Sequence, residues 1–179
     1  MSDAWLVRIN ALGIKIWERT FGGKKVDQAF AVVTVPGGGF MVAGLTHSKG
    51  AGNADAWLIR IDKRGNPLWE KTFGGKGFDA ANALALVPGG GFIIAGETRS
   101  KGAGKTDAWL LRLDAKGQLL WEKTYGGINH DRFISVKPTP DWGFIVAGSK
   151  NSTGTDGKKG GRSWVLKVDG QGRYRSSER

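Results

Sequence analysis

Three tryptophans, Trp5, Trp57 and Trp109, stand 52 residues apart, and Trp164 follows after 55. Other anchors keep the same step. Trp17, Trp69 and Trp121 match, as do the pairs Gly22-Gly23, Gly74-Gly75 and Gly126-Gly127. So do Asp27, Asp79 and Asp131; Phe40, Phe92 and Phe144; and Ala43-Gly44, Ala95-Gly96 and Ala147-Gly148. Repetition in register at this period forces an array of like units, each placing its copy of a residue in an equivalent setting.

One unit reads as four strands. Taking Asp79 to Gly126, the first runs from about Ala80 to Val87 and ends at the turn PGGG. The second is Phe92 to Thr98, followed by the polar loop RSKGAGKT. The third is Ala108 to Leu113, and the turn DAKG leads to the fourth, Leu119 to Tyr125. Alternation supports the assignment in the preceding unit: Trp57, Ile59 and Ile61 share one face, Leu58 and Arg60 the other. Asp-x-x-Gly between apolar runs suits a tight turn with glycine in the left-handed region, and PGGG uses proline and glycine in the same way. Thirty glycines thus mark turns rather than low complexity.

Four antiparallel strands per unit with a period near 50 predict an all-β fold, a β-propeller-like array of four-stranded blades. The phase divides the chain into a half blade 3–21, blades 27–73 and 79–125, an incomplete blade 131–168 and a polar tail 169–179. That is about three to three and a half blades, fewer than the usual four to eight. Ser176 stands where a further tryptophan is due. The expectation is an open arc, or part of a larger ring, that self-associates through blade edges or belongs to a longer array. Each blade is too thin to bury both faces alone, so Trp5, Trp57, Trp109 and Trp164, with Phe40, Phe92 and Phe144, are read as packing residues between blades, and Trp17, Trp69 and Trp121 as structural residues of the repeat. Asp27, Asp79 and Asp131 are expected to bond backbone amides in the turn entering each first strand.

The unit resembles bacterial and archaeal β-propeller repeats, kelch-like in character, of the form DAWLVKLD…W…TFGG…D…DGG-F/Y-IVAG-T. The residues that carry the likeness are DAWLIRID at 55–62, LWEKTFGG at 68–75, Asp79, and PGGGFIIAGET at 88–98. The resemblance implies a structural or binding module, often secreted or at the cell surface. No charged and apolar leader precedes the first strand pattern here, so compartment stays open.

Net charge is +11 and the isoelectric point about 10.1. Division after residues 54, 106 and 161 spreads the charge as +3, +3, +2 and +3, so there is no basic tail. A solvated basic surface of the kind thermophile proteins carry accounts for this, with a polyanion partner as the alternative. No apolar run approaches the roughly 18 residues of a membrane span. The absence of cysteine removes disulfides and thiolate metal sites.

Catalytic chemistry finds no foothold. GAGKT at 102–106 mimics a phosphate loop, but Arg99 stands where its leading glycine belongs, and a strand rather than a helix follows. His47 and His130 are the only histidines and lie in different loop types, and the loops lack the carboxylates a calcium cage needs. No nucleophile, base and acid set is present. No catalytic residue, metal or cofactor is therefore expected. Asp3, Asp55 and Asp107, with Glu18, Glu70 and Glu122 and with Arg8, Arg60 and Arg112, recur once per unit and read as repeated ion pairs or turn bonds.

A unique site is more readily built from residues that break a repeat. His130 and Arg132 beside Asp131, Trp142 in place of a turn glycine, and Lys150, Lys158, Lys159 and Arg162 of the long basic loop are the ligand-binding candidates. Trp142 beside the basic loop could stack a sugar or a base. The functional expectation is a non-catalytic scaffold or binding module for a protein or glycan. Its alternatives are a nucleic-acid or acidic-polysaccharide binder, or a fragment of a larger secreted propeller protein or enzyme.

Overall fold

The computed structural model describes residues 2–151 and 161–174. These residues contain thirteen strands and no helix, so no helix is long and apolar enough to cross a membrane. The strands are β1 (Ala4–Ile9), β2 (Lys15–Phe21), β3 (Asp27–Thr34), β4 (Phe40–Thr46), β5 (Asp55–Ile61), β6 (Pro67–Phe73), β7 (Asp79–Leu86), β8 (Phe92–Thr98), β9 (Asp107–Leu113), β10 (Leu119–Tyr125), β11 (Asp131–Pro138), β12 (Phe144–Lys150) and β13 (Arg162–Val168). They form four antiparallel sheets ordered β1-β2, β3-β4-β5-β6, β7-β8-β9-β10 and β11-β12-β13. The architecture is all-β and propeller-like, with each sheet a blade. The chain divides into two compact units, Met1–Ala81 and Asn82–Arg179.

Turn chemistry explains the hairpins. Gly13, Gly65, Gly117 and Gly172 all have φ between +72° and +81°, closing the turns that join third- and fourth-type strands or follow β13. Asp62 and Asp114 accept backbone N–H groups two and four residues on, as in an Asx turn. Asp169 does the same beyond β13, and residues 169–173 form a further turn of this kind. Tyr125 donates its hydroxyl hydrogen to the Gly172 carbonyl at 2.6 Å and closes this turn onto its blade.

Within the first unit, a core joins β1-β2 to the next sheet. Ala4, Leu6, Trp17 and Phe21 meet Phe40, Val42, Trp57, Ile59 and Ile61. In the second unit, Ile93, Ala95, Ala108 and Leu110 meet Phe133, Val136, Phe144, Val146 and Val168, with Trp164 and Leu166 partly buried beside them. The same pairing of faces is built twice: the small-and-leucine face of one blade receives the aromatic face of the next.

The repeated aspartates tie consecutive blades. Gly23, Gly75 and Gly127 donate their amide hydrogens to Asp27, Asp79 and Asp131 at 2.8, 2.9 and 2.7 Å. The aspartate amides donate to the carbonyls of Ser2, Ala54 and Thr106, just ahead of the preceding third-type strand. Thr46 and Ser48 add hydroxyl hydrogen bonds to Asp27.

Burial alone would raise the Asp27 carboxyl, but bonds from Thr46, Ser48 and Gly23 outweigh it and hold the group below its ordinary value of 3.8. A carboxylate lowered on folding contributes its full stability above the unfolded value, and that contribution fades as pH falls through the folded one. Asp27→Asn should therefore cost about 1–3 kcal/mol at pH 7. Urea-unfolding midpoints should also show a smaller loss below pH 3.8 than in the parent. An unchanged acid limb would remove Asp27 from this role.

Candidate functional sites

The structure brings two of the sequence candidates together. His130 and Arg132 line a cleft of about 330 Å³ with Glu97, Arg99, Thr106 and Asp131. Thr106 Oγ1 lies 3.0 Å from His130 Nδ1 and accepts a hydrogen bond from Arg99 Nε at 3.2 Å. The His130 carbonyl and the Asp131 carboxylate both accept from the Asn151 amide. His130 and Asp131 are thus held in the blade-to-blade tie, and the cleft mixes both signs of charge. Arg99 and Thr106 replace His47 and Ala54 of the preceding unit, so both were visible as repeat-breaking positions. Among the described residues, no group of three or more histidine or acidic side chains could hold a metal ion.

Of the remaining candidates, Lys150 stands opposite both Asp131 and Arg162 in the sheet register, while Trp142 lies apart. Trp142 lies in the turn between β11 and β12, with φ of 61° and 67% exposure. The basic loop leaves the other end of β12, seven residues and about 20 Å away at the rise of an extended strand. Trp142 and the described ends of that loop, Lys150 and Arg162, therefore stand at opposite ends of β12. Trp142 borders a shallow cleft with Pro88, Arg112 and Trp121. Lys150 places Nζ 5.2 Å from the centre of the Trp164 ring. This repeats Lys49 over Trp57 at 5.2 Å and Lys101 over Trp109 at 5.6 Å. Lys150 is a packing cation on its own blade. Arg162 begins β13 and is exposed. Lys158 and Lys159 lie outside the described residues.

A second surface was not a sequence candidate. Trp57 and Trp109 are 1% and 0% exposed, as packing residues should be, but Trp5 is 67% exposed. The expectation that the tryptophans of this repeat position pack between blades is not met at Trp5. The cause is positional. Trp5 has the strand pattern of its counterparts, but β1 pairs only with β2 among the described residues. Trp5, Val7 and Ile9 of β1 line an apolar groove of about 560 Å³ with Phe30 and Val32 of β3. Phe30 is lifted out by a register shift between Ala29 and Ala31, a bulge that turns its ring to the surface. Arg8 is held at the groove, donating from Nη1 to the Lys63 carbonyl at 2.8 Å. Lys15, bonded to Glu18 at 2.8 Å, holds that carboxyl below its ordinary range.

No family model matches the chain, and no curated protein matches it. Among solved structures, one similar chain is a protein of unknown function from Bacteroides caccae. It is 10% identical with a TM-score of 0.35, and the match covers 93% of this chain and 71% of that one.

Proposed function

We propose that this protein is a non-catalytic scaffold that binds another polypeptide on the apolar surface of its first blade. The observation that carries the reading is the groove between β1 and β3, where Trp5, Val7, Ile9, Phe30 and Val32 are all more than a third exposed on neighbouring strands. Clustered apolar exposure of this kind marks docking surfaces rather than ordinary solvent-facing residues. A glycan site needs polar groups converging beside the aromatic ring. The charged side chain of this groove, Arg8, is already bonded to Lys63. The polyanion reading loses two of its cations, because Lys49 and Lys101 of the SKG loops pair with Glu70 and Glu122.

Selection from a random displayed-peptide library tests this, with a Trp5→Ser, Val7→Asp double variant as the counter-target. Selected peptides should be apolar, should lose binding on the double variant, and should keep it as salt is raised. Ligands that bind both proteins equally would contradict the proposal. So would a heparin or DNA affinity that dominates and falls steeply with salt.

A further inference from the structure

The groove has the features of an unfilled strand position. β1 is an edge strand among the described residues, and all of Trp5 to Ile9 line the groove, whichever face they point to. In three other blades the equivalent strand is paired on this side, each time in one register. Phe40, Val42, Gly44 and Thr46 of β4 face Ile61, Ile59, Trp57 and Asp55 of β5. Phe92, Ile94, Gly96 and Thr98 of β8 face Leu113, Leu111, Trp109 and Asp107 of β9. Phe144, Val146 and Gly148 of β12 face Val168, Leu166 and Trp164 of β13.

Side chains reinforce that pairing. Arg60 donates to the carbonyls of Phe40 and Gly38 at 3.2 and 2.7 Å, and Arg112 to those of Phe92 and Gly90 at 3.3 and 2.8 Å. Trp57 Nε1 donates to Glu70 at 3.2 Å and Trp109 Nε1 to Glu122 at 3.1 Å. Lys49 and Lys101, three residues beyond the paired strand, cap each tryptophan and bond the same glutamate. Asp55 and Asp107 accept the amides of Gly52 and Gly104 farther along the same loops.

The first blade carries the whole receiving set: Asp3, Trp5, Arg8 and Glu18 stand at the same four positions. Arg8 is turned to the Lys63 carbonyl, and Glu18 is paired with Lys15 of its own strand. The geometry points to the β1 edge as a docking site for an extended segment of the pattern Phe-x-Val/Ile-Ala-Gly-x-Thr-x-x-Lys, supplied by another polypeptide. The segment runs antiparallel to β1, with its phenylalanine opposite Ile9, its Val/Ile opposite Val7 and its glycine opposite Trp5. Its lysine caps the Trp5 ring beside Glu18, and Arg8 transfers to its backbone carbonyls. Main-chain bonds supply affinity, and the apolar groove with the lysine notch supplies selectivity. This rests on the reading of the first blade as a polypeptide-docking surface.

The test uses the full chain and a synthetic peptide, FIIAGETRSKG, copied from residues 92–102. The chain has no cysteine, so Val7→Cys provides a single thiol. In a glutathione redox buffer this protein should cross-link the peptide carrying Ile94→Cys at least about tenfold better than the one carrying Ile93→Cys, because a disulfide demands close, convergent Cβ atoms. Ile9→Cys with Phe92→Cys in the peptide gives a second pairing, should Val7→Cys disturb the blade. Lys101→Glu in the peptide should weaken binding severalfold by fluorescence anisotropy. Equal cross-linking at every position, or none above a scrambled peptide, overturns the strand-addition mode. If library-selected peptides still need Trp5 and Val7 in that case, the docking surface stands and only the strand addition falls.

Discussion

Replacing Trp57 with alanine should destabilise the protein by about 3–5 kcal/mol, whereas Trp5→Ala should change stability by about 0.5 kcal/mol or less. The two residues share a repeat position, a strand pattern and an indole bonded to the glutamate of the neighbouring strand. Their surroundings differ. Trp57 is 1% exposed, packs in the core with Ala4 and Phe21, and carries Lys49 on its ring. Truncation there removes a large buried surface and leaves a cavity lined by strands that cannot collapse inward. Trp5 is already two-thirds in solvent, so its removal gives up little. Urea unfolding of both variants at one pH measures the difference. Equal losses would show that the first blade buries its tryptophan as the second does.

Gly44→Ala should cost about 3 kcal/mol, at the upper end of what overpacking exacts. The new methyl group would sit within the van der Waals radius of the Gln28 carbonyl oxygen, a backbone atom on β3. The crowding comes from the β3 bulge. Where the register slips between Ala29 and Ala31, the chain of β3 is pushed against β4, and only glycine leaves room. Gly148 faces the Arg132 carbonyl in the same way, beside the slip between Phe133 and Ser135. Gly37→Ala is the contrasting change. Its φ of +83° is unfavourable for alanine, but no atom stands within 4 Å, so the cost should be nearer about 1 kcal/mol. Thermal and urea unfolding should rank Gly44→Ala as the more damaging. The reverse order would mean that torsion, and not the bulge, maintains these glycines.

These effects bear on what could be read from residues alone. Strand limits and turns were legible because alternation and glycine placement are local signals. The second to fourth strands of the 79–126 unit were assigned within a residue of β8, β9 and β10. The Ala-Gly anchors were visible as a repeat, but their cause was not, since the bulge that requires glycine lies on another strand. Lys150 illustrates a different loss. It aligns with Thr46 and Thr98, three positions ahead of Lys49 and Lys101, yet it reaches the same place over a tryptophan ring. Alignment marked it as a break in the pattern, and a flexible side chain restored the contact. The candidate surface was the least legible part. The half blade 3–21 implied an open edge, but nothing in DAWLVRI itself distinguishes it from DAWLIRI; the strand order shows that, among the described residues, β1 is the strand at that edge.

That unpaired edge is the central claim, and residue-resolved amide hydrogen exchange tests it most directly. In an antiparallel sheet an edge strand turns alternate amides outward, where nothing protects them. In dilute protein without a ligand, alternate amides of β1 should exchange close to the unprotected rate, while those of β5 are protected along the whole strand. Addition of the 92–102 peptide should slow the fast set. Continuous protection of β1 equal to that of β5 in the free protein would contradict the account.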